Sequence, residues 1–361
     1  MIPVSVLSSI DPVLRAVTAF TAVVDHPGTV VVLQDLDPGA GTLRRVTSDV
    51  TGVIEDETVA LQHVCLGCAI REDSLPYLEL IAGSGRWEQV LWGLPVSAEA
   101  APLTTAIDTF GDAMGVRMAS LLSVADVDSV VHDVFGDALL VEDHLALADD
   151  DRRSVGEALV AQLRHADLVL CHAGASPVTG TAGDIGHALI DHLRGPGSIA
   201  VPADQPTDLF AARYHASVTE DRLDPLKITR SLTPDTDDGV WSLELHSARP
   251  FHPQRLLEAI EVLGSTDLCS RGRFALPGRP GAVHCWDGAG GQLSIGDTGT
   301  RVERCTTRLV YTGIGSPQRK ALLSRTFRDT LMTDRELRTV NRWHGIDDGF
   351  DPWLGEFQIS A

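Results

Sequence analysis

Cys65 and Cys68, in the run VCLGCAIRED, are the residues of this chain best spaced for chemistry. A tight turn carries both sulfurs of a C-x-x-C pair to one side, where the thiolates can share one tetrahedral zinc ion. Two thiolates fill half of that shell. His63 is near enough in sequence to be a third candidate, and no second C-x-x-C supplies the rest. The same spacing also suits a redox-active dithiol or a pair of free thiols, and the reading carried forward is a metal site at Cys65 and Cys68.

The other cysteines read as structural. Cys171 ends the apolar run ADLVLCH, where a small buried hydrophobe is expected. His284 and Cys285 are neighbours in AVHCWDG, so on a strand they point to opposite faces and cannot share an ion. Cys269 and Cys305 have no candidate partner nearby in sequence. No H-E-x-x-H or G-x-S-x-G motif is present, and no carboxylate pair stands out, so no catalytic residue is assigned.

These residues need a scaffold, and the first half of the chain alternates short β-branched runs with helical stretches, the pattern of a parallel sheet covered on both faces. VSVL (4–7), TVVVLQ (29–34), EQVLWGL (88–94), SVVHDV (129–134) and ADLVLCH (166–172) read as buried strands. Val155, Leu159 and Leu163 recur every four positions and predict a helix, with Asp149 to Asp151 at its N-terminus. GDIGHALIDHLRG predicts another, and SIAVP a further strand. Residues 206–243 include the acidic, turn-rich LTPDTDDGV and read as a linker between domains 1–205 and 244–361. The C-terminal part reads as a smaller α+β domain. WSLELHS, RFALPG, AVHCWDG, QLSIGD and RLVYTGIG are its strands, with helices after Pro253 and through 317–331. The tail WHGIDDGFDPWLGEF interleaves aromatic and acidic residues and is expected to dock on that domain.

Composition narrows the function classes. The 361 residues are 43% apolar and 22% charged, with 29 Lys plus Arg against 50 Asp plus Glu, a formal charge of −21. Such a surface repels phosphate backbones and anionic lipid, so direct nucleic-acid or membrane binding is not expected. No apolar run approaches the ~20 residues of a spanning helix, and the N-terminus lacks the basic start of a signal peptide, giving a cytoplasmic expectation. Six cysteines are too sparse for a disulfide scaffold.

The segments VSVLSS, VCLGCAIREDSLPYL, ADDDRRSVGEALVAQLRHADLVL, RPFHPQRLLEAIE, RGRFALPGRP, YTGIG and the WHGIDDGFDPWLGEF tail together resemble the CobW-like branch of the P-loop GTPases, over nearly the whole chain. The resemblance implies an α/β fold, a parallel P-loop-type sheet flanked by helices, followed by a smaller α+β CobW C-terminal domain. It also implies a link to zinc. One expectation is a zinc-starvation factor that recruits a ribosome-hibernation protein to the ribosome, as a member of an actinobacterial branch of the family does. The alternative is a zinc metallochaperone that delivers metal through Cys65 and Cys68 to a metal-requiring client.

Departures from the family pattern bear on GTP. A working loop reads G-x-x-x-x-G-K-[ST], with glycine amides around the phosphates and Lys and a hydroxyl serving phosphate and magnesium. Here the family's glycines fall on Ser9, Pro12 and Leu14, its Lys on Arg15 and its Ser/Thr on Ala16. In the metal motif the middle cysteine falls on Gly67. The acidic position after the third strand is Gly93, and the guanine-reading loop is replaced by CHAGAS. GTP is therefore doubtful as a cofactor, no nucleotide-binding residue is assigned, and little or no hydrolysis is expected.

Overall fold

The computed structural model describes the chain outside residues 64, 174–180, 230–232, 237–238, 316, 344–346 and 357–361, with the backbone alone at 181, 182 and 341. It divides into two units, one made of 1–134 with 138–222, the other of 135–137 with 223–361.

The larger unit opens with strand β1 (Ile2–Ser8), helix α1 (Pro12–Asp25), and strands β2 (Thr29–Asp37), β3 (Thr42–Asp49) and β4 (Gly52–Ala60). A short helix α2 (Leu66–Ala69), a π-helical turn (Ile70–Ser74) and helix α3 (Leu75–Ser84) follow as one run. Then come β5 (Gln89–Gly93), α4 (Ala101–Met114), β6 (Val116–Asp126), α5 (Val130–Phe135), α6 (Val155–His165), β7 (Leu168–His172), α7 (Thr181–Leu193), β8 (Ile199–Pro202) and α8 (Ala216–Leu223). The sheet order is β4-β3-β2-β5-β1-β6-β7-β8. From β2 to β8 neighbouring strands run parallel, whereas β2-β3 and β3-β4 are antiparallel.

That hairpin extension was not expected from the apolar pattern. Its strands carry Arg44, Arg45, Glu55, Asp56 and Glu57, and β4 is an exposed edge whose charges discourage pairing with another chain. Gly41 (φ 72°) and Gly52 (φ 111°) lie at its turns in the left-handed region that glycine enters freely.

Two further readings are corrected. SVVHDV is helical, because Val130 and Val134, four apart, are both buried, and Ser129 Oγ donates to Asp133 at 2.6 Å across one turn. The neighbouring central strand β6 is masked in the sequence by Ser120 and Ser123, both fully buried; Ser120 Oγ donates to Ala211 O at 2.6 Å. Helix α6 forms as expected, yet its cap is Ser154, which exchanges hydrogen bonds with Glu157, and not the aspartates upstream. The sheet is covered on both faces. Val6, Val32, Trp92, Leu103 and Leu121 belong to one core, and Leu7, Val31, Leu91, Ala19 and Val23 to the other. The expected linker contributes to the second, through buried Leu209 and Phe210, and then forms α8.

The smaller unit contains β9 (Val240–Ser247), α9 (Pro253–Leu263), β10 (Leu268–Phe274), β11 (Ala282–Ala289), β12 (Gln292–Arg301), β13 (Thr307–Ile314), α10 (Pro317–Thr330), α11 (Asp334–Leu337) and α12 (Asp351–Leu354). Its antiparallel sheet has the order β12-β11-β10-β13-β9. A Cβ on Gly272 would lie 2.0 Å from the Arg308 carbonyl oxygen, so only glycine lets β10 lie this close to β13. Trp241, Phe251, Phe274, Trp286, Tyr311 and Phe350 form the core, each worth roughly 1.5–3 kcal/mol of burial. The described part of the tail docks there: Phe350 is fully buried, and Arg279 holds Asp348 at 2.8 Å and Asp351 at 2.5 Å.

Candidate functional site

Cys65 has extended backbone angles and caps α2, with its Sγ accepting from the Cys68 amide at 3.3 Å. The sulfur is exposed, whereas Cys68 is 6% exposed and accepts from Arg71 Nη2 at 3.4 Å. The Cys68 amide holds the Cys65 thiol below its ordinary pKa, with the Gly67 amide and the Arg71 charge acting the same way. Cys68 is pushed the other way by its hydrogen bond to the Cys65 sulfur and by burial. The pair is thus one outward sulfur, its pKa lowered, beside one sheltered sulfur. His63 is exposed, and its charge acts on Glu72. Among the described residues no third His, Cys, Asp or Glu donor completes a cluster with the two sulfurs; the one such cluster is Asp347, Asp348 and Asp351. Arg279 already pairs with two of those aspartates.

The helix that carries Cys68 is anchored by a buried polar network that the sequence patterns do not reveal. Pro76, at the start of α3, offers no N–H, and the Leu75 amide reaches back five residues to Ile70 O, giving the π turn. Asp73 and Ser74 lie on that turn. Asp73 accepts from Gln34 Nε2 at 2.7 Å and pairs with Arg45. Burial pushes the Asp73 carboxyl up, opposed by the Arg45 charge and the Gln34 bond. Arg45 also reaches Glu57 at 2.7 Å and stacks 3.7 Å from the centre of the Tyr77 ring. Ser74 Oγ and Trp92 Nε1 donate to Gln34 Oε1 at 3.1 and 3.0 Å. Buried charged residues need such partners, and here they come from β2 and β3, which sequence spacing around the cysteine motif does not point to.

Where a phosphate loop would lie between β1 and α1, the chain has filled the place with its own groups. Asp11 caps α1, its Oδ1 accepting from the Val13 amide at 2.6 Å and the Leu14 amide at 3.0 Å, and Pro12 has no N–H to offer. Arg15 does not point outward as a phosphate-binding lysine would. Its buried guanidinium donates to Gln34 O at 2.9 Å and Leu94 O at 2.7 Å and pairs with Asp35 at 2.5 Å. Burial raises the Asp133 carboxyl, and the charges of Asp126 and Asp11 raise it further, so the surroundings are acidic. At Gly93 a Cβ would meet Leu33 Cδ2 at 2.4 Å, leaving no room for an acidic side chain unless Leu33 moves. These residues do not fit a nucleoside triphosphate with its magnesium.

The remaining candidates stay apart. Burial pushes Cys171 up to about 12, an inert thiol. His172 lies 3.3 Å from Thr18 Oγ1, while the second half of CHAGAS (174–176) and, in HAGASPVTGTAGD, Gly174 and Gly180 fall outside the described residues; Gly183 lies on α7. His284 is fully buried and Cys285, on the opposite face, donates to Gly296 O at 3.3 Å.

Residues 240–331 match the family model of the cobalamin synthesis protein cobW C-terminal domain. The chain is 27% identical over 296 residues to Zinc chaperone Rv0106 of Mycobacterium tuberculosis, an alignment covering 77% of this chain and 69% of that protein. Among solved structures, the Zn(II)-bound YjiA GTPase from E. coli aligns at 13% identity and a TM-score of 0.37, covering 91% of this chain and 98% of that one. The chain thus carries a region similar to the cobW C-terminal domain over residues 240–331, and over most of its length it is similar to a protein named a zinc chaperone.

Proposed function

We propose that this protein is a zinc metallochaperone that carries its ion on Cys65 and Cys68 and works without GTP hydrolysis. The observation that carries the reading is the asymmetric thiol pair. Cys65 is exposed with its thiol pKa lowered, Cys68 is sheltered with its own raised, and no third described donor joins them. Zinc bound there keeps two of its four positions for water or for donors of a receiving protein, which suits an ion held for transfer. The resemblance of the chain to a protein named a zinc chaperone supports the same reading. Its partner is then a metal-requiring client in the cytoplasm. Among the described residues no helix is long and apolar enough to cross a membrane. The recruiting role at the ribosome draws on no feature of this site, and the carrier is the reading retained.

The test is a competition titration of the metal-free chain against a chromophoric zinc chelator, followed by mixing the loaded chain with a metal-free zinc enzyme. One thiol-dependent zinc per chain and recovery of enzyme activity without nucleotide are expected. Binding that survives loss of both thiols overturns the proposal.

A further inference from the structure

We infer that Gln34 and Arg15 are positioning residues for the Cys65 and Cys68 pair, acting through the π turn; the inference rests on the metal-carrier reading only for its consequence. A π turn accommodates one residue more than an α turn and is the less stable of the two, so it persists where outside bonds hold it. Here Arg45 pairs with Asp73 from one side, and a single side chain, Gln34, bonds two residues of the turn. Gln34, 1% exposed, donates to Asp73 and accepts from Ser74, and both partners lie on the turn. Trp92 fixes the same amide oxygen, so the amide has a single orientation. The backbone of Gln34 is in turn pinned by Arg15, whose Nη1 bridges Gln34 O on β2 and Leu94 O beyond β5.

The π turn sets the rotational phase between α3 and the residues before it. An α-helix turns about 100° per residue, so relaxing the π turn to α geometry would swing Cys68 around the helix by about that angle relative to α3. Cys68 would leave its shelter, and its amide would leave Cys65 Sγ. The guanidinium that has replaced a phosphate-binding lysine therefore bears, through Gln34, on whether the two sulfurs face one ion.

The test uses full-length Gln34→Leu, Ser74→Ala and Arg15→Met. On metal-free protein, iodoacetamide alkylation of each cysteine is followed by mass spectrometry. With cobalt(II) as probe, the thiolate-to-metal absorption band and the affinity are measured, and melting temperature is recorded beside them. Gln34→Leu is expected to speed Cys68 alkylation and weaken cobalt binding, each about tenfold, the scale of one buried hydrogen bond. Ser74→Ala and Arg15→Met should show smaller changes in the same direction. Alkylation rates and cobalt band unchanged within twofold in folded Gln34→Leu would overturn the inference, and if that variant does not fold, the same outcome in Ser74→Ala does so. Absence of a thiolate band in the wild-type chain would sink the metal reading alone, because alkylation of the metal-free protein still reports the positioning.

Discussion

The Asp11 carboxylate sits 2.6 Å from the Val13 amide, at the helix end where a phosphate would accept. An anion is therefore already present at the N-terminus of α1, supplied by the chain itself, and its charge is the same sign as the ligand it displaces.

Asp11→Ala should cost about 1 kcal/mol of stability, because the Val13 and Leu14 amides lose their acceptor, while Asp11→Ser should recover most of it. Urea unfolding followed by circular dichroism measures the difference. Equal stability of the two variants would contradict the capping role.

Rebuilding the loop should not create a GTPase. With glycine at 9, 12 and 14, Arg15→Lys and Ala16→Thr, phosphate release from GTP is expected at background. The magnesium-side position is still Gly93, and Gly93→Asp pushes against Leu33. Turnover in the rebuilt chain would mean that the remaining acidic surroundings matter less than argued.

Zinc stoichiometry should fall from one per chain to none in Cys65→Ser with Cys68→Ser, by elemental analysis after exhaustive dialysis. The single Cys65→Ser should lose more affinity than any substitution of His63, since His63 is exposed and joins no donor cluster with the two sulfurs.

Acid should loosen the smaller unit through His284. Burial lowers its pKa to about 4, opposed by the Asp297 charge. The unfolded chain, with a histidine near 6.5, binds more protons than the folded one between these values. The stabilising contribution is therefore complete above pH 6.5 and is lost as pH falls toward 4. From pH 7.5 to 5 the loss is about 2 kcal/mol. Amide hydrogen exchange of β10 and β11 should accelerate accordingly, and His284→Phe should remove most of that pH dependence.

Periodicity made β1, β2, β5, β7, α6 and four of the five strands of the smaller unit legible, because their apolar residues face a core, whereas RFALPG shares only Arg273 and Phe274 with β10, which begins at Leu268. It failed where polar residues are buried. Ser120 and Ser123 hid a central strand, and two adjacent valines lent α5 the look of a strand. The hairpin extension escaped because β4 buries almost nothing. At the site, the cysteines and the missing glycines were visible as residue types. The network of Gln34, Arg45 and Asp73 was not, since its members come from two strands and a π turn and meet only in three dimensions.

A protein that hydrolyses nucleotide has a clock, and can spend the energy of each tick to drive cargo uphill. On the proposed reading, with Asp11 seated on α1, the carrier has no winding mechanism at that place. Zinc on such a carrier moves only down its own gradient, and the outcome is a ratio of two affinities. A client that holds the ion a thousandfold more tightly, about 4 kcal/mol, is filled almost completely; one that matches the carrier is left half empty. Loading order among clients then follows their thirst for the metal, with no step at which the carrier can refuse.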